Sequence, residues 1–134
     1  MKIIFTMGLP ASGKTTWSKQ YCKDNPDCIR IGRDDIRHMR GTYWIPDQEP
    51  MIKAMETQCI KTALSYGFNV IIDATNLDLQ KNGDRYREFK KEFPDLEVEI
   101  QPFDTDLEEC ILRDSKRDTP VGEEVIRNMA RGSF

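Results

Sequence analysis

Lys2-Ile-Ile-Phe-Thr-Met7 is an almost unbroken apolar run, with the length and branching of a strand covered on both faces. From about 14 to 23 the apolar positions take helical spacing, and Cys28-Ile-Arg-Ile31 forms a second short apolar run. A short helix is expected after Gly32-Arg-Asp-Asp35, and Gly41 and Pro46 bracket a loop. Asp47 is expected to cap a long helix reaching about residue 66, its buried stripe drawn by Met51, Met55, Ile60, Ala63 and Leu64. Gly67 stops that helix and Phe68-Asn-Val-Ile-Ile72 reads as the third strand. A helix near 78–92 leads to a fourth strand at about 96–103. Thr105-x-x-Glu108 has the form of a capping box for a helix at about 106–116, and Gly122 to Arg131 reads as a last helix. Strands alternating with helices predict an α/β fold: about four parallel strands flanked by helices.

At 134 residues the chain suits one compact domain spanning 1–134. No apolar run approaches membrane-spanning length and the N-terminus lacks a signal peptide's organisation. Cys22, Cys28, Cys59 and Cys110 are scattered without a C-x-x-C pair, which fits reduced, mostly buried thiols in a cytoplasmic protein. A net charge of −3 argues against a broad nucleic-acid footprint and leaves room for a local one.

The chemistry begins where the first strand ends. Gly8-Leu-Pro10-Ala11-Ser12-Gly13-Lys14-Thr15-Thr16 fits G-x-x-x-x-G-K-(S/T) between a strand and a helix, the context a P-loop requires. Gly8 and Gly13 permit backbone angles and close approach that a Cβ would block. The loop's N–H groups converge on phosphate oxygens at the positive end of a helix dipole. Lys14 reaches β- and γ-phosphates, and Thr15 offers its hydroxyl to Mg²⁺.

Later stations lie on the same sheet edge. Asp73 ends the third strand, where a carboxylate holds Mg²⁺ directly or through water, or else caps the next turn. Thr75 and Asn76 are either turn residues or polar groups facing an acceptor substrate. Past the second strand, Arg33-Asp34-Asp35-Ile-Arg37 sets two carboxylates among arginines: a base with an anion grip, or merely a helix start. Arg30, Arg33, Arg37 and Arg40 crowd this stretch and favour an anion-binding lip. Arg113 and Arg117 stand four apart, on one helical face if the helix persists, and read as a lid or as the cationic end of a helix. Asp104-Thr-Asp106 has the outline of a phosphatase D-x-D, but the capping box accounts for it more simply. His38 is the only histidine and has no companions for a metal site; Trp17 and Trp44 read as packing residues before base-stacking ones.

Taken in order, Gly8 to Trp17, Arg33 to Arg37, Asp73-Ala-Thr-Asn-Leu77 and Arg113-Asp-Ser-Lys-Arg117 resemble the 5′-hydroxyl polynucleotide kinases, especially the phage-type kinase domain. The resemblance covers most of the chain and implies a P-loop kinase fold with a helical lid. It implies transfer of the γ-phosphate of ATP, with Mg²⁺, to the 5′-OH end of single-stranded DNA or RNA. By it, Asp34 is the general base and Arg37 grips the phosphate on the 3′ side of the acceptor nucleotide. Lys14 and Thr15 serve phosphate and Mg²⁺, Arg113 and Arg117 are the lid arginines, with Arg117 on the transferring phosphate, and Val121 touches the adenine. Phage members often carry a phosphatase domain after the kinase; this chain is too short for one, and a stand-alone kinase, or a module whose end-healing partners are separate, is expected. The rival readings are a P-loop kinase of a nucleoside, sugar or antibiotic, and a non-catalytic ATP-binding module.

Overall fold

The computed structural model describes residues 1–132. Four parallel strands, β1 (Lys2–Met7), β2 (Cys28–Ile31), β3 (Asn69–Ile72) and β4 (Glu97–Pro102), form one sheet in the order β2-β3-β1-β4. Ile3, Ile4 and Phe5 of β1 sit opposite Val70, Ile71 and Ile72 of β3. Alternation within these runs feeds two cores, as the pleat requires. Ile3, Phe5, Val70 and Ile72 meet Ile60 and Leu64 of helix α3 (Glu49–Ser65) and Phe89 of α4 (Leu79–Glu92). Ile4 and Ile71 face the other way, against Trp17, Tyr21 and Cys22 of α1 (Lys14–Asp24). A short helix α2 (Arg33–Arg37) follows β2, and α5 (Leu107–Ser115) and α6 (Glu123–Ala130) complete the chain's helices among the described residues.

Placing β1 beside β3 is what builds the site. The loop after β1 and the residues after β3 become neighbours at the carboxyl edge of a parallel sheet, where ligands of such sheets bind.

Two expectations about α3 are corrected. Asp47 does not cap it: Asp47 lies in a 3₁₀ turn (Pro46–Gln48), Gln48 holds the cap position without a side-chain bond, and Pro50 stands in the first turn. Proline supplies no N–H there, so one of the orphan donors a cap would satisfy is absent. The buried stripe is Ile52, Glu56, Ile60 and Leu64, whereas Met51 and Met55 are exposed. A glutamate in the core-facing row disguised the true spacing.

The capping box at α5 is also corrected. Asp106 caps the helix, accepting from the backbone N–H groups of Glu108 and Glu109. The Thr105 hydroxyl instead donates to the Ser12 carbonyl, tying this turn to the loop after β1. Of the four cysteines only Cys28 and Cys110 are buried; Cys22 is half-buried and Cys59 exposed. Trp17 packs on Tyr21 and edge-on to Phe103, as a packing residue should. Trp44 is exposed. No described helix is long and apolar enough to cross a membrane.

Candidate active site

The two loop glycines do different jobs. A Cβ on Gly8 would stand 2.8 Å from Ser12 Oγ and 3.0 Å from the Phe103 backbone oxygen, so Gly8 is there for close approach. Gly13 has open space around it but a φ of 103°, which disfavours any side chain. Ala11 also lies in the left-handed region, at φ 62°. The loop is fixed from both sides: Gly8 N–H donates to the Thr75 carbonyl at 3.0 Å, and Thr105 holds Ser12 at 2.8 Å.

Lys14 is folded back into this loop. Its Nζ donates to the carbonyls of Leu9 at 2.6 Å and Gly8 at 3.0 Å. Burial lowers its pKa to about 8, partly offset by the Asp73 carboxylate, with Arg117 adding to the depression. The ammonium is held by two carbonyls and, at 3.4 Å, the Ser12 hydroxyl, neutral dipoles that are a poor substitute for phosphate.

Asp73 is almost wholly enclosed, 5% exposed at its side chain. Its Oδ2 accepts from Thr15 Oγ1 at 2.7 Å and from Arg30 Nη1 at 2.9 Å. Arg30 continues through Nη2 to Asp35 at 2.7 Å, linking the P-loop station to α2. One hydroxyl and one carboxylate side by side fit Mg²⁺, which keeps several waters and takes its remaining oxygens from substrate phosphate. Among the described residues no cluster of three or more His, Cys, Asp or Glu exists to cage a metal.

Asn76 serves the backbone. At φ 45° its amide donates to the carbonyls of Thr6 at 2.8 Å and Ile72 at 3.0 Å. With the Thr6 hydroxyl on the Ala74 carbonyl, it bolts the turn after β3 to β1. Thr75 lines the cleft and contributes its carbonyl to Gly8.

At the acceptor side, Asp34 is largely exposed and accepts through Oδ1 from Arg37 Nη1 at 2.7 Å and Tyr43 OH at 2.6 Å. Arg37 is doubly bound to Glu49, Nε to Oε1 and Nη2 to Oε2, both at 2.8 Å. These contacts raise the Arg37 pKa and lower that of Glu49. The same guanidinium lies over the rings of Tyr43 and Trp44, at 5.9 and 5.6 Å. Burial and the neighbouring Asp34 push the Tyr43 hydroxyl upward, so it remains a donor. Thus Asp34 Oδ1 is oriented by two donors while Oδ2 remains available. His38 packs near Tyr43, their ring centroids 5.0 Å apart.

Past β4 the expected single helical face does not form. Helix α5 ends at Ser115, so Arg117 lies in the following turn while Arg113 stays on the helix, paired with Glu109. The organiser is Asp114, buried, which accepts from the backbone N–H groups of Val121 at 3.0 Å and Gly122 at 2.9 Å. Arg117 Nη1 is 3.4 Å from the same carboxylate and remains substantially exposed.

One cleft unites these stations. Pro10, Ala11, Gly13, Lys14, Thr15 and Thr16 line it with Asp34, Arg37, Asp73, Thr75, Asn76, Arg113, Arg117 and Val121. Gly8 and buried Ser12 stand behind the loop and shape it. Sequence reasoning gave no site role to Tyr43, Glu49, Glu56 or Asp114. The aromatic and the three acids act through contacts with residues distant or differently phased in the chain, and carry no local motif.

A family model described as an AAA domain matches residues 3–133. The L-seryl-tRNA(Sec) kinase of Methanococcus maripaludis is 35% identical over 133 residues, covering 96% of this chain and 51% of its own length. The chain therefore spans about half the length of that curated relative. A solved structure of the Pnkp1/Rnl/Hen1 RNA repair complex contains a chain that superposes with a TM-score of 0.83 at 28% identity, over 98% of this chain and 43% of that one. A second Pnkp1/Rnl/Hen1 structure gives 0.72 at 29% identity, over 84% and 38%. The loop geometry, the β2-β3-β1-β4 sheet and the match over nearly every residue agree: the chain belongs to the AAA-domain family and has the P-loop kinase fold.

Proposed function

We propose that this protein transfers the γ-phosphate of ATP to a hydroxyl at the 5′ end of a polynucleotide. The observation that carries the reading is Asp34, exposed at the lip of the cleft that the P-loop lines, with one oxygen oriented by Arg37 and Tyr43. In this reading the loop from Gly8 to Thr16 cradles the triphosphate. Lys14 leaves its carbonyl partners for the β- and γ-phosphates. Thr15 and Asp73 hold Mg²⁺, which when bound neutralises charge on the phosphate oxygens.

Asp34 accepts the proton of the attacking hydroxyl, a role worth about 10²–10⁴ in rate. Arg37, locked by Glu49, meets the first phosphate on the 3′ side of the acceptor end. Arg117 and Arg113 close over the transferring phosphate, and Val121 borders the adenine. Thr75 and Asn76 complete the acceptor wall. Residues 1–134 act here as one kinase domain of a cytoplasmic enzyme.

The relationship to a seryl-tRNA(Sec) kinase favours a second reading, in which the hydroxyl belongs to an aminoacylated RNA. One experiment addresses both: γ-labelled ATP and Mg²⁺ with a 5′-OH oligonucleotide, seryl-tRNA or free nucleosides as acceptor. Label on the oligonucleotide supports the first reading, label on seryl-tRNA the second, and label on nucleosides alone refutes both. ATP bound without transfer indicates a non-catalytic module.

A further inference from the structure

Arg37 is electrostatically satisfied, with three of its donor sites on two carboxylates. A neighbouring pair of arginines is not. Glu56 of α3 is fully buried, and its Oε1 accepts both Arg33 Nε at 2.9 Å and Arg85 Nη2 at 2.5 Å. Its Oε2 is buried without any partner. Two guanidinium charges thus converge on one carboxylate oxygen, leaving an excess of one positive charge in a partly desolvated place. Among the described residues, Arg33 uses only Nε and Arg85 only Nη2 in hydrogen bonds. The remaining donors of both have no carboxylate to meet. Both arginines line the same cleft as Asp34, and Arg85 is braced over the Phe89 ring at 5.7 Å.

Other acids on this wall are neutralised locally: Asp84 by Arg87, Glu88 by Lys91, and Glu92 by Lys61. Lys19, Lys53 and Lys81 also line the cleft without an ion pair among the described residues, but only at Arg33 and Arg85 do two guanidinium groups there share one buried carboxylate oxygen.

We infer that Arg33 and Arg85, set by Glu56, form a second phosphate subsite that takes an internucleotide phosphate of the acceptor beyond the one nearest its reacting end. Two guanidinium forks sharing one anchor keep unused N–H donors that suit the two free oxygens of a phosphodiester. Glu56 is a positioning residue: it aims the arginines and touches no substrate. The inference rests on the polynucleotide reading and deepens it, because a subsite one phosphate further along makes acceptor length a determinant of affinity.

The test compares a nucleoside 3′-monophosphate with a 5′-OH tetranucleotide as acceptors for the wild-type chain, Arg85→Ala and Arg85→Lys. Wild type should show a markedly lower KM for the tetranucleotide. Arg85→Ala should raise the ratio of tetranucleotide to mononucleotide KM about tenfold or more. It should also flatten the dependence of log KM on log salt by about 0.7 for the tetranucleotide, the signature of one lost single-strand phosphate contact. Arg85→Lys keeps a cation beside Glu56 and should recover part of the ratio and most of the salt slope. A uniform KM change on both acceptors, or an unchanged ratio, overturns the subsite. Wild-type turnover of the mononucleotide with no gain from the longer acceptor overturns it too, while leaving the kinase reading intact. Wild type that phosphorylates neither acceptor overturns the polynucleotide reading on which the subsite rests.

Discussion

Binding of ATP should draw a proton onto Lys14, and the amount should depend steeply on pH. In the ligand-free protein burial holds the lysine near a pKa of about 8, against 10.5 for an ordinary side chain. Phosphate oxygens in contact with Nζ replace carbonyl dipoles with negative charge and return the group toward its ordinary value or above. At pH 7 the free lysine is already about nine-tenths protonated, so binding takes up only about 0.1 proton. At pH 9 it is about one-tenth protonated, and uptake rises to about 0.9. The apparent affinity should therefore fall about tenfold between pH 7 and pH 9, close to 1.4 kcal/mol.

Titration calorimetry at pH 9 in two buffers of different ionisation enthalpy reads the proton count directly. Lys14→Met should bind ATP weakly and abolish the uptake. Equal heats in both buffers at pH 9, or uptake that persists in Lys14→Met, would refute the assignment. The same shift has a folding consequence of definite sign. A base whose folded pKa lies below its unfolded one costs stability wherever it must be protonated, here below about pH 8. That cost, on the order of 3 kcal/mol, disappears as pH rises from about 8 to 10.5. Ligand-free Lys14→Met lacks it, so urea unfolding should show the variant's advantage over wild type shrinking across that interval.

Asp34→Asn keeps the Oδ1 acceptor for Arg37 and Tyr43 but removes the base. Single-turnover assays should show phosphoryl transfer slowed about 10²–10⁴-fold with ATP affinity preserved, and near-normal rates would dismiss Asp34 as the base. Asp114→Ala leaves the backbone N–H groups of Val121 and Gly122 and the Arg117 guanidinium without their shared acceptor. About 1–3 kcal/mol of stability should be lost in denaturant unfolding, with hydrogen exchange accelerating first in residues 117–122.

What the sequence made legible was whatever is encoded by local repetition or by fixed spacing. All four strands were marked to within about a residue at each end; in β1 and β3 the signal was an apolar run, because a strand buried on both faces leaves little room for polar interruption, whereas β4 alternates polar and apolar residues and is mostly exposed. The P-loop was legible because glycine placement there answers to local backbone geometry, at Gly13 by conformation and at Gly8 by crowding. Asp73 was legible as a strand-end acid, but its two partners were not. Arg30 is 43 residues away in the chain and Thr15 is 58, and the pairing of β3 with β2 on one side and β1 on the other brings them together.

The buried acids were hidden for a stronger reason. Glu56 occupies a position that the helical pattern assigns to an apolar residue, so reading for hydrophobicity shifted the stripe to Met51 and Met55 instead. A full charge is tolerated there because Arg33, from another helix, and Arg85, from a third, reach the same oxygen. Replacing a buried ion cluster by apolar side chains of similar volume is often neutral or even stabilising, so Glu56 is better explained by the arginines it aims than by the core it interrupts.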